Sequence, residues 1–224
     1  ARALALKGEV LRMPAFSRFS EGLEALEKAS ALEPRRAWIR AFLGRARVYC
    51  GNPDQGLKDL LRAAVLDPGC AWISAWSGEA RFNQGDYRRA LRDLDAAIAG
   101  DPECAVAYSW RGAAKEKLGK YQDAVRDLDK ALELHRRYAE VYVWPSHATR
   151  DWEELIRIDL HGLSLERGFV FHERALAKQG LGDWDGAVSD RTQALRLDPK
   201  FHWVEGSGTP SQFKTILKGL NRAD

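Results

Sequence analysis

The 224 residues carry 35 Lys and Arg against 32 Asp and Glu, and 45% are hydrophobic. The apolar content excludes a disordered chain, and the interspersed acids and bases, with a net charge of only +3, exclude a basic block suited to nucleic acid. No apolar run approaches the roughly 20 residues of a membrane helix, the start ARALALKGEV lacks the apolar core and cleavage site of a signal peptide, and three cysteines are too few for a disulfide scaffold, which together point to the cytoplasm.

The chain repeats itself every 34 residues. Gly44, Gly78 and Gly112 keep that step, as do Gly51, Gly85 and Gly119, Leu60, Leu94 and Leu128, and Ala63, Ala97 and Ala131. Each unit reads as two helices. The first unit contains Pro14 and about two extra residues between its helices. Later units start at Ala37, Ala71 and Ala105, and Pro34, Pro68 and Pro102 close the units before them, where proline cannot continue a helix. In the unit from Ala105 the first helix is AVAYSWRGAAKEKL, the turn is LGKY and the second helix is QDAVRDLDKALEL. Ala124, Leu128, Ala131 and Leu132 make one buried stripe. Small residues at Gly112, Ala124 and Ala131 allow close approach, and Gly119 suits a turn with positive φ.

The fifth unit is irregular. It begins AEVYVW at Ala139 and then meets Pro145, which breaks its first helix; Ser146 replaces the usual glycine, and a second helix is expected over Asp151 to Leu165. A sixth unit reads LGDWDGAVSDRTQALRLDP around Trp184. About six units thus occupy 1–205. In 206–224 a GSGTP loop precedes SQFKTILKGL, where Phe213, Ile216, Leu217 and Leu220 make a helix that caps the open end of the array.

With Gly78, Gly85, Tyr87, Ala90, Ala97 and Pro102 in one unit, Tyr108, Gly112, Gly119, Tyr121, Ala124 and Ala131 in the next, and Gly182, Trp184, Ala187, Ala194 and Pro199 late in the chain, the sequence resembles the tetratricopeptide repeat family over roughly residues 3 to 205. The resemblance implies an all-α, right-handed superhelical solenoid of antiparallel helix pairs. It also implies that the first helices line a concave groove, into which positions two and six of each unit point.

Two aromatic columns follow the period. One reads Phe42, Trp76, Trp110, Trp144; the other starts Trp38, Trp72 and then becomes Val106 and Glu140. Four residues make about one helical turn, so the columns are neighbours on the first helices. By the resemblance, Arg45, Glu79, Phe82, Asn83, Ser109, Glu116 and Lys117 fall at other groove positions. Aromatic rings give large contact area at small entropy cost. The expected function is a non-catalytic scaffold that binds a peptide or protein segment in this groove, with rings for anchoring and Arg45, Glu79, Glu116 and Lys117 for register. The structural alternative is that the rings pack on each other or under the chain's own tail. A glycan or lipid in the groove and a regulatory part of a larger enzyme are the other functional alternatives.

The family's clamp for chaperone-tail carboxylates is missing, since Ala41, Arg45, Trp76, Val106 and Trp110 stand at the corresponding positions. The histidines His135, His147, His161, His172 and His202 show no metal-ligand spacing, so no metal or cofactor is expected. Cys50, Cys70 and Cys104 are expected as free thiols. The paired acids Asp93 and Asp95, and Asp127 and Asp129, read as a solvated outer face with Arg92 and Arg126 beside them. His147, Asp151 and His161 are the strongest catalytic grouping, outweighed by the absence of any phosphate loop or nucleophile elbow.

Overall fold

The computed structural model describes residues 1–12, 19–141 and 167–197, and among them the regular structure is entirely helical. The helices are α1 (Arg2–Arg12), α2 (Phe19–Leu32), α3 (Ala37–Tyr49), α4 (Pro53–Leu66), α5 (Ala71–Asn83), α6 (Tyr87–Gly100), α7 (Ala105–Lys117), α8 (Tyr121–Val141), α9 (Arg167–Gly180) and α10 (Trp184–Leu197). The expectations placed on Pro14, on Trp144 and the rest of 142–166, and on 198–224 with its capping helix lie outside the described residues.

By contact the chain divides into Ala1–Trp110 and Arg111–Asp224. In the first unit α1 packs on α2, α3 on α4 and α5 on α6, while α2 joins α3 and α4 joins α5. In the second unit α9 packs on α10 and also directly on α8.

One local device is repeated in every regular pair. Gly51, Gly85, Gly119 and Gly182 have φ of 82°, 79°, 73° and 79°, the left-handed region where a Cβ is penalised. Each lets the next residue's N–H reach back to a carbonyl inside the helix: Asn52 to Arg47 at 2.9 Å, Asp86 to Arg81 at 2.9 Å, Lys120 to Lys115 at 2.9 Å, and Asp183 to Lys178 at 3.0 Å. This Schellman closure ends the first helix of the pair. Asp86 and Asp183 then cap the next helix, accepting from the N–H groups of Arg89 and Gly186.

The four residues whose carbonyls close these turns have a second job. Arg47 bonds Asp59 at 2.5 Å, Arg81 bonds Asp93 at 2.6 Å, and Lys115 bonds Asp127 at 2.7 Å. Lys178 lies 2.9 Å from Asp190. Backbone and side chain of one residue therefore tie the turn and the two helices together. This revises the expectation of a solvated acid pair: Asp93 and Asp127 turn toward the first helix, while Asp95 and Asp129 are exposed, Asp129 accepting from Arg174 of α9 at 2.5 Å.

Leucine packed on glycine supplies the apolar half of the contact. A Cβ on Gly44, Gly78 or Gly112 would meet Leu60, Leu94 or Leu128 Cγ at 2.9, 2.5 and 2.6 Å. Gly8 and Leu26 repeat the pairing at 2.6 Å, so the first repeat keeps it despite about two extra residues in its sequence. Each of the four leucines is fully buried, worth about 2–3 kcal/mol apiece.

One boundary differs from the sequence expectation. The second helix of the fourth unit does not stop near Leu134 but runs on to Val141 as one helix of 21 residues. Arg136 stands where the period would place a fourth proline after Pro34, Pro68 and Pro102. Without a proline the N–H donors stay intact and the helix continues.

Candidate functional site: an aromatic wall on the first helices

The period places Phe42 and Trp38 on α3, Trp76 and Trp72 on α5 and Trp110 on α7. The structure brings the first four together. Trp38 meets Phe42 edge-on at 5.6 Å between centroids. Phe42 lies 6.0 Å from Trp72 and 5.6 Å from Trp76, and Trp72 meets Trp76 edge-on at 4.6 Å. Phe82 makes a second cluster with Trp110 at 5.1 Å and Tyr87 at 5.3 Å. Edge-on and tilted contacts at these distances suit the ring quadrupole and add to the area term.

The rings are not equally accessible. Phe42, Trp76 and Trp110 are buried at 2%, 1% and 8% exposure, whereas Trp38, Trp72 and Phe82 are half-buried. The inner column is thus the backing of the wall, and its outer surface is formed by Trp38 and Trp72 with Phe82 beyond.

Charge is built into the backing. The Arg45 guanidinium lies 4.4 Å from the Trp76 ring centroid and 5.6 Å from that of Tyr49, within reach of a cation–π attraction. Its Nε is 3.9 Å from Glu79 Oε2, and Tyr49 Oη donates to Glu79 Oε1 at 2.5 Å. Arg45 and Glu79 occupy the same column one unit apart, so opposite charges face each other across the helix spacing. Both are buried. Ser109 is also buried and donates to the Ala105 carbonyl at 3.0 Å, a bond within its own helix. Asn83 and Lys117 are exposed and Glu116 is half-buried.

Tyr49 was missed in the sequence. The signal was present, because Tyr49, Asn83 and Lys117 share one column. Glu173 was missed too. It follows Trp110 by the same 63 residues that separate Tyr121 from Trp184, so a carboxylate stands there at the aromatic position.

In the second unit that substitution produces a polar cluster. Lys117 Nζ is 2.8 Å from Glu116 and 3.5 Å from Glu173. Burial raises the Glu173 carboxyl to about 7, against the downward pull of Lys117. Beside it, burial lowers His172 to about 4, assisted by the positive charges of Arg191 and Lys117. Arg191 is 1% exposed, contacts His172, and is itself lowered to about 10 by burial. It occupies the place of Leu60, Leu94 and Leu128 in the last pair, and Ala175 takes the place of the packing glycine. Among the described residues no group of three His, Cys, Asp or Glu side chains is placed to hold a metal, and no helix is long and apolar enough to cross a membrane.

Residues 77–139 match the family model of the tetratricopeptide repeat. Comparison by sequence with curated proteins gives no match. Solved structures match over most of the chain. TTC0263, a tetratricopeptide repeat protein of Thermus thermophilus, superposes with a TM-score of 0.66 at 17% identity, covering 98% of this chain and 97% of its own. A chain of the APC/C hetero-tetramer Cut9–Hcn1 gives 0.67 at 17% identity over 83% of this chain and 32% of that one. MamA of Desulfovibrio magneticus RS-1 gives 0.58 at 16% identity, with 89% and 95% covered. At these identities the likeness is one of fold.

Proposed function

Starting from a chain that carries tetratricopeptide repeats, we propose a non-catalytic scaffold that holds a peptide or protein segment against the first helices of its units. The observation that carries this reading is the half-buried pair Trp38 and Trp72, set on a backing of buried rings and the Arg45–Glu79 pair. A surface of rings whose rotamers are already fixed loses little entropy on binding, which is how a few residues come to dominate an interface. Asn83 adds an exposed polar contact on α5, and Phe82 extends the apolar contact toward Trp110. Trp144 continues the column by its spacing alone. A matching fold occurs in a hetero-tetramer, Cut9–Hcn1, where one protein is assembled with another. The partner is a protein rather than a nucleic acid, since the balanced charge offers no basic stripe. Three free thiols suit the reducing compartment we assign it, the cytoplasm.

The test is affinity capture from a lysate of the source cell with the wild-type chain and with Trp38→Ala/Trp72→Ala, followed by mass spectrometry. Circular dichroism establishes that both baits are folded. The reading requires a protein that the wild type retains and the folded double variant loses. A protein retained equally by both removes the aromatic wall as the binding surface.

A further inference from the structure

The outer side of α4 breaks the rule that sorts the rest of the helix. Leu60 and Ala63 face inward and are fully buried, yet Leu61, Val65 and Leu66 are exposed, Val65 at 81%. Leu32, at the end of α2, is 64% exposed. The exposed side chains of α4 gather around one hollow of about 470 Å³, lined by Pro34, Arg40, Leu61, Arg62, Val65 and Leu66. A second hollow shares Pro34 as a wall and is otherwise lined by Glu33, Arg35 and Arg36. The floor is braced: Arg40 donates to the Pro34 carbonyl at 3.0 Å and to Asp59 at 3.2 Å, fixing the α2–α3 link against α4.

The rim is positively charged. Arg36 is bonded to Glu33 at 2.8 Å, which leaves the remaining cations in excess. Arg35 and Arg62 are exposed and form no ion pair among the described residues. An apolar centre ringed by arginines, on a surface sharing no residue with the aromatic wall, calls for a partner with an apolar ridge and carboxylates on either side. Guanidinium groups match carboxylates in a two-pronged geometry. A bilayer offers a flat face that cannot follow a hollow, and this favours a folded or folding peptide segment.

We propose that the hollow between the α2–α3 link and α4 docks an acidic amphipathic segment of a partner protein, its apolar side chains against Leu61, Val65 and Leu66 and its carboxylates on Arg35 and Arg62. The segment adds a contact independent of the first-helix surface.

Three fluorescein-labelled helical peptides test this. They share one leucine-rich face and carry Glu, Gln or Lys on the other, and each is titrated by anisotropy against the whole chain, Val65→Glu and Arg35→Glu/Arg62→Glu. All three positions are exposed, and circular dichroism checks the fold. The Glu peptide should bind wild type at least about tenfold more tightly than the Lys peptide, since like charges across an interface are strongly disfavoured. Val65→Glu should abolish its binding, and the double reversal should invert the preference toward Lys. Equal binding of the three peptides, or a Glu preference that survives the reversal, overturns the proposal. So does a dimer in sedimentation that Val65→Glu splits, which gives the hollow to a second copy, or binding to phosphatidylserine vesicles that the reversal removes, which gives it to a lipid surface.

Discussion

Asp127 sits 6% exposed at the meeting of two cations. Arg111 donates to both its oxygens at 2.8 and 2.7 Å, and Lys115 adds a third bond at 2.7 Å. Removing one charge from a buried set leaves the others uncompensated, which costs about 3–5 kcal/mol. Asp127→Asn should therefore lose a large part of that, while Asp95→Asn, on the exposed side of α6, should cost less than about 1 kcal/mol. Urea titration of both variants measures the difference, and similar midpoints would show that the inward carboxylate is not structural. The Glu173 and His172 pair makes a pH prediction. Glu173 titrates near 7 in the folded chain against an ordinary 4.5, so the native state holds a proton the unfolded state releases. Its contribution is present below about 4.5 and is lost as pH rises through 7. His172 titrates near 4 against an ordinary 6.5, so its contribution is present above 6.5 and is lost as pH falls through 4. Between 4.5 and 6.5 the two slopes oppose each other. Relative to wild type, Glu173→Gln should gain stability with rising pH across that window and His172→Asn should lose it. Thermal melts at stepped pH decide; two variants with the wild-type profile would sink the pairing.

At the scale of the element, glycine has two separable roles. Gly112 lies in a helix, where alanine is intrinsically favoured by about 1 kcal/mol, yet an added Cβ would press on Leu128 Cγ at 2.6 Å and the Ala124 carbonyl at 3.2 Å. Overpacking costs about 1–3 kcal/mol, so Gly112→Ala should be destabilising despite its better propensity. Gly119 has open space around its missing Cβ but a φ of 73°, and Gly119→Ala should cost about 1–2 kcal/mol through the backbone alone. Adding Leu128→Ala separates the two: it should be strongly non-additive with Gly112→Ala and additive with Gly119→Ala. Additivity in both cycles would refute the Gly–Leu contact as the reason for the glycine column. The periodic sequence shows these glycines because identical neighbours impose identical constraints on every unit. It shows the acids less clearly. Asp93 and Asp95 are two positions apart and point different ways on a helix, and Arg92 beside them suggests local pairing. The cue that one turns inward is a cation twelve residues earlier: Arg47, Arg81 and Lys115 precede Asp59, Asp93 and Asp127 by that step. The length of α8 was readable only as an absence, the missing proline at Arg136. Ring exposure was not readable at all, because whether Trp72 or Trp76 shows a face depends on Phe42 and Arg45 from the preceding helix pair.

At the scale of the whole molecule, contacts within each of the two units run between neighbouring helices, with thinner ones between the first helices α1, α3 and α5. α2 meets α3, α4 meets α5, and α8 meets α9, so stability is a sum of pair terms and neighbour terms. A lesion in one pair should be felt by that pair and its neighbours and fade beyond them. Gly78→Ala, which drives a Cβ to 2.5 Å from Leu94 Cγ, strains the α5–α6 pair in the first unit, while α9 and α10 lie in the second. Native-state hydrogen exchange reads this directly, because amide protection reports local opening helix by helix. Protection should fall in α5 and α6, fall less in α3 and α4, and stay at the wild-type level in α9 and α10. A uniform drop along all described helices would mean that the chain opens only as a whole. The proposed partner surface on α3 and α5 would then be no softer than α9 and α10, and strain placed beside Trp76 could not be used to tune binding without unfolding everything.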